Sequence, residues 1–254
     1  MNYNILDGGT GRIDPICHVI ESEKPDVVLL CDATDHKQVM TIARKLQMEV
    51  FPAQSPRTPH GAVALLSKWE IADAVNAAAI DVSHQQAAMM ARVRQQGSEV
   101  IIWGVHLAAG KGMSFKSQPF DEINAIVRRS AGRPDDATIL LGNLNSAGAG
   151  EPRVPADDEL NAQTANAAPL ASARPATDEA DAFLRANGWI DTQSAESGVV
   201  APTPNYPTYG PTSRPDRIFV KNTPRLHISG YHIVQSPLAK FASDHYPIVA
   251  DITF

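Results

Sequence analysis

Three uninterrupted apolar runs, each of strand length and each ending in a polar side chain, constrain this chain more than any other feature. The first is Val27-Val28-Leu29-Leu30-Cys31, which ends at Asp32. The second is Val100-Ile101-Ile102-Trp103-Gly104-Val105, which ends at His106. The third is Thr138-Ile139-Leu140-Leu141, followed by Gly142-Asn143-Leu144-Asn145-Ser146. Apolar runs of this length without alternation suit strands covered on both faces. Polar residues just past such strands are where α/β sheets place their chemistry.

The remaining segments supply the cover. Ile13, Ile16, Val19 and Ile20 recur at helical spacing until Lys24-Pro25-Asp26 stops them, and a second helix is expected over 36–48. Phe120, Ile123, Ile126 and Val127 mark a helix face within 119–130, and Thr177 caps a helix that stops at Asn187-Gly188. Further strands are expected at 62–67 and 217–220, and at 248–254 after Ser243-Asp244-His245-Tyr246-Pro247. A hairpin joins 89–94 to 99–106 through Gln95-Gln96-Gly97-Ser98. The Ala-rich stretch 71–88 reads as loop and short helix, and 52–59, with three prolines, as loop. The Ala-, Pro- and Asn-rich stretch 147–176 reads as a long mobile surface loop within a single domain spanning 1–254. Strand, helix, strand order with a hairpin favours a mixed-sheet α/β sandwich over a purely parallel fold.

Composition narrows the function classes. A net charge of −6 over 254 residues argues against tight nonspecific binding to a polyanion, which needs clustered Lys and Arg. Cys17 and Cys31 are too few for a disulfide framework. Neither a leader peptide nor an apolar span of membrane length is visible, so the expectation is a cytoplasmic protein.

The strand-end residues form an ordered set along the chain: Asn4, Asp32, His106, Asn143, Asn145, Asp216, Asp244 and His245. Any one of them is a turn former; together they suggest a site. Carried by Asn4-Ile5-Leu6, Pro25 to Asp32, Gly61 to Ser67, Val105-His106-Leu107, Gly142-Asn143-Leu144-Asn145, Arg214 to Val220 and Ser243 to Ile248, the sequence resembles the endonuclease/exonuclease/phosphatase superfamily, the deoxyribonuclease I-like fold. The resemblance implies a four-layer α/β sandwich, two mixed β-sheets packed face to face with helices outside. It also implies a phosphoesterase dependent on Mg²⁺ or Mn²⁺. Asp32 stands where the family carries a metal-binding Glu, with Asn4 and Asp244 in the same metal site. His106 and Asn145 would contact the scissile phosphate, and His245 a phosphate oxygen or the attacking water. Asp216 falls where an acidic residue orients a catalytic neighbour. Hard cations on carboxylate oxygens, with His and Asn donors beside them, are what phosphate-ester hydrolysis requires.

Two residues depart from that pattern. Asp32 is one methylene shorter than Glu, and Asn143 occupies the position of a carboxylate expected to activate water or hold a second metal. An amide accepts no proton and contributes no charge. Three explanations stand side by side: an inactivating substitution, a member that has become a binding protein, and a site turned to a non-phosphate substrate. The primary expectation is hydrolysis of a small anionic phosphate ester or nucleotide rather than duplex DNA. Arg57, His60 and Lys111 lie in loops that would border the site, with Arg57 and His60 as candidate substrate contacts, although solvated loop charges would look the same. Trp69 and Trp103 read as packing residues.

Overall fold

Strand β2 (Val27–Cys31) shows how the chain is layered. Val28 and Leu30 pack with Ile16, Val19, Val39 and Ile42, whereas Leu29 and Cys31 pack with Met89, Ile102, Ile139 and Ile218. Successive strand side chains point to opposite faces, so a run apolar at every position must separate two cores. The computed structural model describes residues 1–58, 61–84, 86–107, 118–131, 136–145, 177–197 and 214–254. The expected loop at 147–176 lies outside them.

One sheet has the order β11-β12-β1-β2-β4-β3, formed by His227–Ile233, Ile248–Thr253, Asn2–Asn4, Val27–Cys31, Ala62–Ser67 and Glu49–Gln54. The other has the order β5-β6-β7-β8-β10-β9, formed by Glu70–Asn76, Ala87–Gln95, Ser98–His106, Thr138–Asn143, Asp216–Lys221 and Trp189–Asp191. Each contains one parallel pair, β1 with β2 and β7 with β8, among antiparallel neighbours. Helices α1 (Ile13–Glu23), α2 (His36–Leu46) and α7 (Pro237–Ala242) cover the first sheet. Helices α3 (Ala77–Ile80), α4 (Gln118–Ala131) and α5 (Thr177–Ala186) cover the second, and α6 (Thr192–Ser197) lies against β10 and β11. The result is helices, sheet, sheet, helices: a sandwich of two mixed sheets with helices outside.

The inter-sheet core is tight. A Cβ built on Gly104 would stand 2.4 Å from Leu29 Cδ1 across the interface. Trp103 is buried on the helix side of its sheet, and Trp69 packs edge-on against Phe254 with ring centroids 6.1 Å apart.

The hairpin β6–β7 turns through Gln96 and Gly97, both with positive φ (49° and 90°), the backbone that two-residue hairpins favour. Two sequence expectations are corrected. Residues 49–54 form a strand despite Pro52, because β3 is an edge strand and can lack a donor on its outer side. Within the Ala-rich stretch, 71–76 belongs to the edge strand β5 rather than to a loop, 77–80 is helical, and 87–88 opens β6. The register of β5 shifts between Ile71 and Asp73, which breaks the alternation by which a strand is recognised.

Candidate functional site

The sheets deliver polar residues to one end of the sandwich by strand register. Asn4 pairs in register with Cys31, so Asp32 follows at the same edge, turned by a left-handed φ of 55°. In the other sheet His106 is in register with Asn143, and Asn143 with Asp216. Three polar side chains therefore stand abreast on β7, β8 and β10. Gly142 permits this spacing: a Cβ there would lie 1.9 Å from the Val105 carbonyl oxygen. Asn2 latches the two sheets, its Nδ2 donating to the Gly142 carbonyl at 3.0 Å.

Two imidazole–carboxylate contacts also cross between the sheets. His245, from the segment joining α7 to β12, places Nδ1 2.5 Å from Asp216 Oδ2. His106 Nδ1 makes no hydrogen bond among the described residues but lies 3.3 Å from Asp32 Oδ1, an electrostatic contact. Asp216 and His245 are almost fully buried, so their contact operates away from bulk water, whereas the His106 and Asp32 side chains are 12% and 25% exposed.

The surrounding loops are fixed by local bonds. Asn145 donates its backbone N–H to Asn143 Oδ1 at 2.8 Å and its Nδ2 to the Leu107 carbonyl at 2.7 Å. Ser243 donates to the Asn4 carbonyl at 2.7 Å and accepts the His245 N–H at 3.2 Å. Ser243 Oγ also lies 3.4 Å from Asp244 Oδ1, which ties the Asp244-His245 pair to the end of β1. The Leu6 N–H donates to Asn4 Oδ1 at 3.0 Å.

The two imidazoles are tuned in opposite directions. Burial pushes His106 below the ordinary histidine range; the Asp32 and Asp216 carboxylates offset only part of this. Burial is also the largest influence on His245 and acts to lower it. The combined pull of Asp216, Asp244 and Asp32 exceeds it and holds His245 above its ordinary value. One imidazole is thus biased neutral and its neighbour biased cationic, a division suited to donating to an anion while leaving a neutral partner beside it.

Asp32, Asp244 and Asn4 offer two carboxylates and one amide oxygen. Among the described residues no group of three or more His, Cys, Asp or Glu side chains is gathered to hold an ion unaided. The donor set nevertheless suits a hard cation of the Mg²⁺ type, which takes one or two carboxylates and completes its shell with water and substrate phosphate.

Of the expected substrate contacts, Arg57 is among the described residues. Arg57 Nη1 donates to the Ala78 carbonyl at 2.5 Å and the His84 carbonyl at 3.0 Å, stapling the segment before β6. His60 and Lys111 lie outside the described residues. Sequence reasoning did not single out Ser243 or Asn2. Their signals were present: a Ser two residues before His245, and Asn2 and Asn4 on one face of an otherwise apolar strand.

Comparison with known proteins places this geometry in context. The sequence profile of the Endonuclease/Exonuclease/phosphatase family matches residues 1–245. Comparison with curated proteins finds no match. Among solved structures, an endonuclease/exonuclease/phosphatase from Beutenbergia cavernae DSM 12333 superposes with a TM-score of 0.70 at 16% identity, over 99% of this chain and 70% of that one. An AP endonuclease from Archaeoglobus fulgidus gives 0.70 at 15%, over 98% and 97%. TDP2 from D. rerio, complexed with a single-strand DNA product, gives 0.66 at 15%, over 100% and 97%. At these identities the likeness concerns the fold.

Proposed function

Because the chain belongs to the endonuclease/exonuclease/phosphatase family, we propose that it is a divalent-metal-dependent phosphoesterase acting on a small phosphate ester or nucleotide. The observation that carries this reading is the Asp216–His245 pair, buried, 2.5 Å apart, and facing the same end of the sandwich as Asp32, His106 and Asn145.

Each residue has a task its surroundings support. Asp216 accepts from Nδ1 of His245 and fixes the ring, so Nε2 is the nitrogen that meets a phosphate oxygen or the attacking water. His106, biased neutral, supplies a second contact from the opposite sheet. Asn145 is aimed by its bond to the Leu107 carbonyl. A Mg²⁺ or Mn²⁺ ion held by Asp32, Asp244 and Asn4 would neutralise charge on the phosphate oxygens. The net charge of −6 supports a small anionic substrate over duplex DNA. No described helix is long and apolar enough to cross a membrane, and Cys17 and Cys31 are free thiols, which suits a reducing, cytoplasmic setting.

A second reading rests on Asn143. Its Oδ1 accepts the Asn145 N–H, so it shapes the loop but cannot take a proton from water. On this reading the protein binds its ligand without rapid turnover, or processes a non-phosphate substrate. Steady-state assays with Mg²⁺ or Mn²⁺ on phosphomonoesters and phosphodiesters separate the two. Turnover abolished by Asp244→Ala supports the phosphoesterase. Inertness of both the native protein and Asn143→Asp refutes it.

A further inference from the structure

A cluster of buried charges lies beside the site. Asp181, Asp191, Arg214 and Arg217 are each at most 1% exposed. Arg214 Nη2 reaches both carboxylate oxygens of Asp191, at 3.3 and 3.1 Å. Arg217 Nη1 and Arg185 Nη2 approach the same carboxylate at 3.4 and 3.1 Å, and Arg185 Nε binds Asp181 at 3.0 Å. Taking these ions out of water is expensive, and packed apolar side chains hold most sheet edges together equally well. Their location indicates what they add.

Arg214 lies two residues before Asp216, and Arg217 directly after it. Arg217 Nε donates to the Arg214 carbonyl at 3.1 Å, closing a clasp around Asp216. On the other side the Leu144 N–H donates to the Pro215 carbonyl at 2.7 Å. Asp191 is itself rigid: its Oδ1 accepts the Gln193 N–H at 3.1 Å, at the start of α6. The entry to β10 is therefore held by charge-assisted bonds on one side and by the Asn143–Asn145 loop on the other. Tyr231 of β11 lies against Arg214 closely enough to feel its charge, so the clasp also engages the opposite sheet, which carries His245.

We propose that Arg214 and Asp191 are positioning residues that set the Asp216–His245 contact. The contact spans two sheets, and no covalent connection nearby fixes its length. Arg214 shares Nη2 between both oxygens of Asp191, and such charge-assisted bonds, made away from water and joined by Arg217 and Arg185 on the same carboxylate, are directional enough to hold the backbone at the entry to β10. A shift of about 1 Å at such a contact is enough to cost about 100-fold in rate. The geometric claim stands on the clasp alone; its catalytic consequence rests on the phosphoesterase reading.

The test uses the full chain with Arg214→Lys, Asp191→Asn and Asp191→Glu, and Leu184→Ala as control. Leu184 is buried in the same helix layer and carries no charge, so its truncation loosens this region without cutting the clasp. Two quantities are read at a temperature where every variant is folded: the ¹⁵N shifts of the His245 ring, and kcat and KM for a phosphodiester with Mg²⁺. Arg214→Lys and Asp191→Asn are expected to move the His245 shifts toward those of a histidine without a carboxylate partner. They should lower kcat by about tenfold or more with KM little changed, and Asp191→Glu should recover part of both. Leu184→Ala should lose stability with the His245 shifts intact. Unchanged His245 shifts in the folded Arg214→Lys and Asp191→Asn proteins overturn the proposal, as does an equal change in Leu184→Ala. If the shifts respond but no protein turns over substrate, the positioning role stands and the phosphoesterase reading fails.

Discussion

Replacing Asn143 by Asp restores a carboxylate at the centre of the site, and the structure fixes what that should cost and what it should return. Asn143 sits in register between His106 and Asp216 on neighbouring strands about 5 Å away. Its Oδ1 already accepts the Asn145 N–H, and an Asp retains that bond, so the loop should keep its shape. The new charge faces Asp216 at about 6 Å, which at an effective dielectric of about 20 amounts to about 3 kcal/mol of repulsion. His106, biased neutral, relieves little of it, whereas the His245 imidazole held against Asp216 offsets part. The metal-free variant should therefore be less stable by about 1–3 kcal/mol, a fall in Tm of about 2–12 °C for a chain of this size. Were a divalent cation held by Asp32 and Asp244, as proposed, it would reverse the sign of that environment, so Mg²⁺ should raise the Tm of Asn143→Asp more than that of the native protein. Stabilising a transition state by about 3–4 kcal/mol raises kcat/KM about 100- to 1000-fold. Thermal denaturation with EDTA or Mg²⁺, run beside hydrolysis of bis(p-nitrophenyl) phosphate, measures both. If the variant matches the native protein with EDTA and gains nothing from Mg²⁺, residue 143 faces neither Asp216 nor a cation. If Mg²⁺ stabilises it but the rate does not rise, the missing carboxylate is not what limits turnover.

Other perturbations follow from the same geometry. Mg²⁺ should raise the Tm of the native protein with concentration and leave Asp32→Ala and Asp244→Ala unmoved; an equal response in all three would place the cation elsewhere. Gly142→Ala forces a Cβ onto the Val105 carbonyl and should cost about 1–3 kcal/mol in urea titrations, with activity falling further because His106 and Asn143 flank that contact. Burial lifts the Cys17 thiol from 9.0 to about 11. Its folded form favours the proton, so its contribution to stability is intact below pH 9 and is lost as pH rises from about 9 to about 11. Cys17→Ala should flatten that alkaline decline, and iodoacetamide should label native Cys17 far more slowly than the unfolded chain. Equal labelling of native and unfolded protein would contradict the burial.

What the sequence revealed, and what it hid, divides along a physical line. Strands β2, β4, β7 and β8 are covered on both sides, so their apolar runs announce them and carry Asp32, His106 and Asn143 to recognisable positions. Edge strands obey weaker rules. β3 tolerates Pro52, and β5 is alanine-rich with a register shift. β11 combines polar residues with Gly230 at another shift, and none keeps the alternation that marks a strand. The site was legible as a set of strand ends, but not as a set of contacts. Nothing in the order of residues says that His245 meets Asp216 rather than Asp32, because that follows from how two sheets face each other. The Asp191–Arg214 clasp was hidden for a related reason: each residue alone reads as a surface charge, and only the fold brings them together out of water. Arg57 shows the same limit, since its place in a loop does not reveal that Nη1 serves two backbone carbonyls.

The close approach of Gly104 to Leu29 governs more than packing. His245 and Asp32 belong to one sheet, and Asp216 and His106 to the other, so the thickness of the sandwich is itself a dimension of the site. Side chains deep in the interior act as spacers that set this gap. A methyl group added at position 104, on the strand that ends at His106, would wedge the sheets apart, and the imidazole–carboxylate contacts would lengthen with them. The candidate site can therefore be tuned from the core: buried substitutions would change how far apart its two halves are held.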